Sequence, residues 1–383
     1  MTGPWHSAPV FAIDADLSWL LRVAFAEAWP AAPADSEKAL RFARDLEISG
    51  RIAERLRRLD RPRVTELEAE FDADFQTNLA VDAQLAHALR HVSGIAVEHA
   101  IPVIALKYAA LSLSAAMRPG TRVAGDLDLL VPAAGIERLW QALLRAGYQR
   151  ANTRAHAHQL EALVGPFGAV VELHRHLPGV CVRAQRFATA EDLFSASLVQ
   201  ASLGSPLWSP KPAILAAHAL AHGLLQNRAT PQSYSLLRML SDLVDLRTAA
   251  TPSPIPAASE YCSPALSGAA EIADRLCSAL QRGAFQGTDF DDTAEQRLLW
   301  HCLAARLDVE YAQRLRFSPI FSGNGGLGVS ERLRYFVGAI FPAEHELDTL
   351  FGPARSTSAR VGRRLRRPID LASRLVRYWS RKS

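Results

Sequence analysis

The first hundred residues carry apolar side chains at the three- and four-residue spacing of amphipathic helices. This pattern runs through 15–29, 37–60 and 76–99, and residues at such spacing share one face of a helix. Arg61-Pro62-Arg63 interrupts the pattern, because a proline ends or kinks a helix. We therefore predict an N-terminal helical region over 1–94.

From residue 101 onward, the helical pattern gives way to short apolar runs. These runs predict strands at 101–106, 127–131 and 169–174 and a strand-like segment at 158–164, with helices at 109–117 and 136–146. The order predicts an α+β fold in which a small mixed β-sheet is covered by helices. We expect the sheet to lie in a core region over 95–200, followed by a C-terminal helical region over 201–352.

Composition narrows the class of protein. With 383 residues and 49% hydrophobic content, the chain is long enough to bury one large hydrophobic core or, as we expect, about two or three smaller ones. Its four cysteines are widely separated and form no CxxC pair, which argues against a disulfide framework and a zinc knuckle. The N-terminus has no basic segment followed by an apolar stretch, and no run of apolar residues is long enough to cross a bilayer. We expect a soluble cytoplasmic protein.

Charge is distributed unevenly along the chain. The formal net charge is +4, yet the tail at 353–383 contains ten Lys and Arg residues and one acid. Its apolar positions recur near helical spacing, and a basic amphipathic helix of this kind can dock on nucleic acid, anionic lipid or an acidic protein. The alternative is a solvated tail that folds back on the acidic body of the protein.

Two carboxylates stand two positions apart at the start of a predicted buried strand. Asp126 and Asp128 lie in the segment Asp126-Leu-Asp128-Leu-Leu-Val131, and residues i and i+2 of a strand point to the same face. Two like charges held this close repel each other unless a proton or a cation lies between them. A divalent cation that also binds a substrate phosphate is a common partner. The pair indicates metal-assisted phosphate chemistry, and a solvated strand cap is the alternative.

A third acid stands in the middle of the predicted strand at 169–174. Glu172 and His174 share one face of this strand, and a buried acid is costly unless it is paired or bound to a cation. If this strand lies beside the Asp126/Asp128 strand, three carboxylates converge on one edge of the sheet. Otherwise, Glu172 is expected to pair with a nearby arginine. His174 is a candidate substrate contact.

Two further histidines share one face of a predicted helix. His218 and His222 are four residues apart, a spacing that can bind a metal ion. Because no HExxH glutamate lies between them, we favour a polar seam against Asp242 or Asp245 of the next helix.

Together, these motifs resemble the uncharacterised nucleotidyltransferase family of the polymerase-β superfamily. The resemblance consists of Lys107 at the start of a helix that follows a strand, Arg122 shortly before the acidic strand, the helix end Ala146-Gly147-Tyr148, and Val171-Glu172-Leu173-His174. It covers about 95–250. Each motif is short, but their order and spacing are specific.

The resemblance implies a polymerase-β-like core and assigns roles to five residues. Asp126 and Asp128 would hold two magnesium ions against the triphosphate, and Glu172 would complete the second metal site and deprotonate the acceptor. Lys107 and Arg122 would neutralise phosphate charge. The implied activity is the transfer of a nucleoside monophosphate from a nucleoside triphosphate, such as ATP, to an acceptor that the sequence does not identify.

One position departs from the family pattern. The chain has Lys107-Tyr108 where this family usually has Lys-Gly and the wider superfamily has Gly-Ser. Glycine lets a phosphate approach the backbone closely, whereas a tyrosine would narrow the cleft. Tyr108 therefore supports an alternative in which the fold is a non-catalytic module that binds nucleotide or a partner. A second alternative is an RNA- or DNA-binding protein that acts through the basic tail.

Overall fold

The computed structural model describes residues 13–26, 32–58, 65–151, 158–182, 187–201, 207–226, 235–284 and 293–308, with a few single positions beyond them. The predicted helix break at Arg61-Pro62-Arg63 lies outside the described residues, and so does all of the basic tail except five isolated positions. The role of the tail therefore remains a prediction. None of the helices that these residues form has both the length and the apolar character needed to cross a membrane.

The described residues before the sheet form four helices: α1 (Ala15–Phe25), α2 (Ser36–Asp45), α3 (Ser49–Arg58) and α4 (Glu66–Glu98). Asp14, Asp35 and Thr65 begin α1, α2 and α4, because the side-chain oxygen of each accepts a hydrogen bond from a backbone N–H of the first turn. The helical pattern over 37–60 is divided between α2 and α3. Glu47 turns the chain there in a left-handed conformation, with φ at 60°.

The described residues form nine strands: β1 (Ile104–Ala105), β2 (Asp126–Leu130), β3 (Gln149–Arg150), β4 (Leu163–Val164), β5 (Val170–His174), β6 (His176–Pro178), β7 (Phe187–Thr189), β8 (Val199–Ala201) and β9 (Trp208–Pro210). Seven of them form one mixed sheet in the order β3-β4-β5-β2-β1-β9-β8, and β6 and β7 form a separate hairpin. The predicted mixed α+β fold is confirmed. The sequence analysis did not identify β8 and β9, which extend the sheet beyond β1.

The centre of the sheet is the parallel pair of β2 and β5. Asp126 lies opposite Val170, Asp128 opposite Glu172, and Leu130 opposite His174. Alternate residues of a strand point to opposite faces, so the pairing places the acidic positions of both strands on one face. Their neighbours Leu127, Leu129, Val171 and Leu173 are buried in the core on the other face.

The described residues after β1 form seven more α-helices: α5 (Lys107–Leu113), α6 (Ala133–Arg145), α7 (Ala190–Ser195), α8 (Pro212–Ala221), α9 (Leu236–Ala249), α10 (Ala269–Gln281) and α11 (Ala294–Leu307). A π-helical turn, His222–Gln226, continues α8. Buried apolar side chains of the N-terminal helices, the sheet and the later helices form one continuous cluster. Polar contacts also join helices that precede the sheet to helices that follow it, such as the ion pair of Arg51 in α3 and Asp245 in α9 at 2.8 Å.

Candidate active site

The proposed site is built on the polar face of the β2/β5 pair. Asp128 is only 1% exposed, because it lies in the middle of the sheet between β1 and β5. Asp126 and Glu172 are half-buried. The three carboxylates named by the sequence analysis are therefore brought to one face by the in-register strands, with Asp128 at the base.

Lys107 reaches this face from the turn between β1 and α5. The N–H of Leu106 donates to the carbonyl of Asp128 at 3.0 Å, which fixes the turn beside β2. Lys107 has a φ of 44°, in the left-handed region, where a residue other than glycine is strained by about 1 kcal/mol or more. Its Nζ donates to Oδ1 of Asp128 at 2.7 Å. The strained turn thus directs the ammonium group of Lys107 towards Asp128 at the base of the site.

His174 contacts two of the carboxylates. Its Nε2 lies 2.8 Å from Oδ1 of Asp128 and 3.7 Å from Oε2 of Glu172. One donor atom from each of these three residues lies within 4.8 Å of the other two. Asp126 is not part of this compact group. The histidine was predicted as a substrate contact, and the structure places its imidazole against the acids.

The carboxylates differ in their electrostatic environments. Burial opposes ionisation of Asp128, but the charge of Lys107 and the contact with His174 outweigh it and hold the pKa of Asp128 well below its usual range. The charge of Asp128, followed by burial, raises the pKa of Asp126. Burial, followed by the charge of Asp128, raises the pKa of Glu172. One acid is therefore firmly ionised, and its two neighbours hold protons more tightly than free carboxyl groups.

The donor set fits a divalent cation. Carboxylate oxygens are ligands for Mg²⁺ and other hard cations, and Asp128 and Glu172 provide them at adjacent positions of paired strands. The half-buried carboxylates leave one side of the group open. Asp128, Glu172 and His174 are thus the residues that lie close enough to share a metal here, and a metal contact of Asp126 remains a prediction.

Arg122 is paired with an acid of α9. Its guanidinium forms a buried bidentate ion pair with Asp242 of α9, at 2.7 and 3.1 Å. With Lys107, Asp242 and the histidines of α8 and the π-helical turn, it lines a small cavity between α5, α8 and α9. The structure therefore places Arg122 near Lys107, and its expected contact with phosphate remains a prediction.

His218 and His222 line the same cavity as Asp242. Asp245, the other acid considered in the sequence analysis, pairs with Arg51. Burial, followed by the charge of Lys107, lowers the pKa of His218 to about 3 and that of His222 well below its usual range. Both imidazoles are therefore neutral near pH 7.

Tyr108 is turned into the core. It is 5% exposed and is not among the residues that line the cavity next to Lys107. Burial, followed by the charge of Asp82 in α4, raises the pKa of its hydroxyl above the ordinary value. The side chain that was expected to narrow the cleft thus packs towards α4.

The sequence analysis missed Arg238 of α9. Its Nη1 donates to the carbonyl of Val123 at 2.9 Å, and its Nε lies 3.2 Å from Oε2 of Glu47. Together with Lys107 and Arg122, it is one of three cations whose charges act on Asp126. No local pattern marks it, because its partners are far away in the sequence.

Comparison with protein families identifies the segment that contains the site. The family model described as an uncharacterised nucleotidyltransferase matches residues 32–253, more than half of the chain. The matched segment includes the helices α2–α4, the whole sheet and α9. No curated protein matches the chain.

Proposed function

The chain belongs to the uncharacterised nucleotidyltransferase family, and from this membership and the acidic site we propose that it transfers a nucleoside monophosphate from a nucleoside triphosphate to an acceptor. The observation that carries the proposal is the register of the parallel β2/β5 pair, in which Asp128 lies opposite Glu172. This register brings acids from two separate motifs onto one face.

The proposed reaction exchanges one bond to phosphorus for another. An oxygen or nitrogen of the acceptor forms a bond to the α-phosphorus, the bond from that phosphorus to the bridging oxygen breaks, and pyrophosphate leaves. Glu172 is the residue that would accept the proton of the acceptor. Asp126, Asp128 and Glu172 would hold Mg²⁺, which when bound neutralises phosphate charge and polarises the phosphorus.

Basic residues complete the proposed triphosphate site. Lys107 lies 2.7 Å from Asp128, within reach of a phosphate bound there. Arg122 would contribute positive charge from the position in which Asp242 holds it. Tyr108 packs towards α4, and this placement supports a catalytic protein over a module whose cleft is closed by that side chain.

Calorimetric titration with ATP, GTP, CTP and UTP, each with and without Mg²⁺, tests the proposal without knowledge of the acceptor. We expect at least one nucleotide to bind in a metal-dependent manner. The isosteric variants Asp126→Asn and Glu172→Gln remove one negative charge each and should weaken this binding about tenfold or more. Glu137→Gln, an exposed position of α6, removes the same charge outside the site and should have no effect.

The alternative of a non-catalytic module predicts a different result. A wild-type protein that binds none of the four nucleotides, or that binds one equally well without metal, would contradict the proposed transferase. Equal losses in Glu137→Gln and Glu172→Gln would show that general charge, and not the site, governs binding.

A further inference from the structure

His174 differs from the three acids because it contributes a nitrogen atom, and not an oxygen atom, to the same site. It is the last residue of β5 and two positions beyond Glu172, so the two side chains share one face. The imidazole is only 4% exposed. Its Nε2 points at Asp128, with Glu172 as the next carboxylate.

The orientation of this imidazole is fixed by its surroundings. The carbonyl of His174 accepts from the N–H of Val131 at 3.1 Å, which anchors the end of β5 to β2. The side chain is held by a second contact, in which the ring of His158 stacks on the ring of His174 with centroids 5.7 Å apart. Burial and stacking therefore hold Nε2 towards the acids before any ligand binds.

The distances suit coordination of a single ion. Nitrogen and oxygen ligands lie about 2.0–2.2 Å from a divalent metal, so two ligands at right or tetrahedral angles are about 2.8–3.6 Å apart. The separations from Nε2 to Asp128 and Glu172 are 2.8 and 3.7 Å, close to the two ends of that range. The three donor atoms all lie within 4.8 Å of one another, and side-chain rotation that releases Oδ1 of Asp128 from Lys107 would place them around one ion.

We propose that His174 is a ligand of the metal held by Asp128 and Glu172, and that it makes this position favour a divalent transition ion such as Mn²⁺ over Mg²⁺. The inference rests on the proposed function, because it refines which ion serves the transferase site. Mg²⁺ binds mainly oxygen ligands and gives up its water reluctantly. Imidazole nitrogen suits divalent transition ions, whose affinities for mixed nitrogen and oxygen sites rise along the first row.

The test is electron spin echo envelope modulation of Mn²⁺ bound to the full-length protein, with inorganic pyrophosphate in place of the nucleotide. Pyrophosphate contains no nitrogen, so any ¹⁴N coupling must come from the protein. We expect ¹⁴N modulation in the wild type and in His176→Gln, which alters a neighbouring histidine outside the group. The modulation should disappear in His174→Gln.

A competition titration between Mn²⁺ and Mg²⁺ provides the second readout. His174→Gln should lower the preference for Mn²⁺ over Mg²⁺ about tenfold or more, while Mg²⁺ affinity changes little. Mn²⁺ that binds the wild type without ¹⁴N modulation would overturn this inference and leave the transferase proposal intact, with His174 as a positioning residue for Asp128. Failure of the wild type to bind either metal would overturn both.

Discussion

Lys107 places a positive charge beside Asp128, at the position where the proposed metal ion would bind. Burial lowers the pKa of Lys107, but the neighbouring carboxylates, above all Asp128, outweigh this effect and raise it above the ordinary value. The lysine is therefore charged at neutral pH and neutralises the most buried acid. A metal ion that approaches Asp128 must compete with this ammonium group.

Replacing Lys107 by glutamine tests this competition. Without the ammonium, we expect the affinity for Mn²⁺ alone to rise about three- to tenfold, because Asp128 loses its internal cation. The affinity for pyrophosphate in the presence of metal should fall, because a phosphate contact is lost. Both constants can be measured by calorimetry.

Lys211→Gln is the matched control, because it removes the same charge from an exposed position at the start of α8. It should change neither constant. A Lys107→Gln protein with unchanged or weaker binding of metal alone would contradict competition at Asp128.

Sequence patterns were sufficient to identify most of the acidic face but not the residues that pair behind the loop leading into β2. The period of two along each strand indicated that Asp126 and Asp128, and also Glu172 and His174, share a face. The pairing of Arg122 with Asp242 spans 120 residues, and no local pattern specifies a contact of that kind. Arg238 could not be predicted for the same reason. Its position depends on the packing of α9 against the loop before β2, which no local pattern specifies.

At the scale of elements, the loop before β2 is held by α4. The N–H of Gly120 donates to Oδ2 of Asp82 at 2.6 Å, and its carbonyl accepts from Nδ2 of Asn78 at 3.3 Å. Gly120 has a φ of 79°, which glycine adopts without strain. This anchoring sets the path along which the chain enters β2.

A methyl group at Gly120 should disturb that path. An added Cβ would lie 2.5 Å from the ring of Phe75, and the left-handed backbone would be strained. We expect Gly120→Ala to lower the free energy of unfolding by about 1–3 kcal/mol and to weaken metal binding through the displaced strand. Urea denaturation and metal titration provide the measurements.

Gly94→Ala is the same chemical change at a position where we expect the opposite effect on the free energy of unfolding. Gly94 lies within α4, and an added Cβ would meet nothing within 4 Å. Alanine should raise the free energy of unfolding by about 0.5–1 kcal/mol and leave metal binding unchanged. Similar losses in both variants would argue against a special role for the loop at Gly120.

Elements with a strong repeat were easier to predict than short or interrupted ones. α6 and β5 have clear periods and appear close to their predicted positions. β8 and β9 have three residues each, too few for a period to be recognised. The division between α2 and α3 depends on the backbone of Glu47, and glutamate carries no local signal for a left-handed turn.

On the scale of the whole molecule, the described regions share one core. Ser235, directly before α9, donates to the carbonyl of Leu46 at 2.8 Å, and Arg306 of α11 donates to that of Asp45 at 2.7 Å. These bonds join helices that precede the sheet to helices that follow it. The parts of the chain on either side of the sheet are thus structurally dependent on each other.

This shared core predicts cooperative unfolding. Of the seven tryptophans, Trp19, Trp140, Trp208 and Trp300 report through fluorescence on α1, α6, β9 and α11, and circular dichroism reports on the helices. We expect both signals to change in one coincident urea transition. Asp245→Asn, which breaks the largely buried pair with Arg51, should lower the free energy of unfolding by about 3 kcal/mol without splitting the transition.

The control for this variant is Arg44→Gln. It breaks a more exposed cluster with Glu70 and Asp74 and should cost about 1 kcal/mol or less. Two separated transitions in the wild type, or a splitting in Asp245→Asn, would contradict a single cooperative core.

The in-register pairing of β2 with β5 also bears on how such a protein diversifies during evolution. Backbone hydrogen bonds hold adjacent strands about 4.8 Å apart, so the spacing of Asp128 and Glu172 is set by main-chain atoms that almost any sequence supplies. Mutations on the outward faces of α1 or α10 do not alter that spacing. Descendants of one ancestor can therefore change their helical surfaces while they inherit the same acidic face.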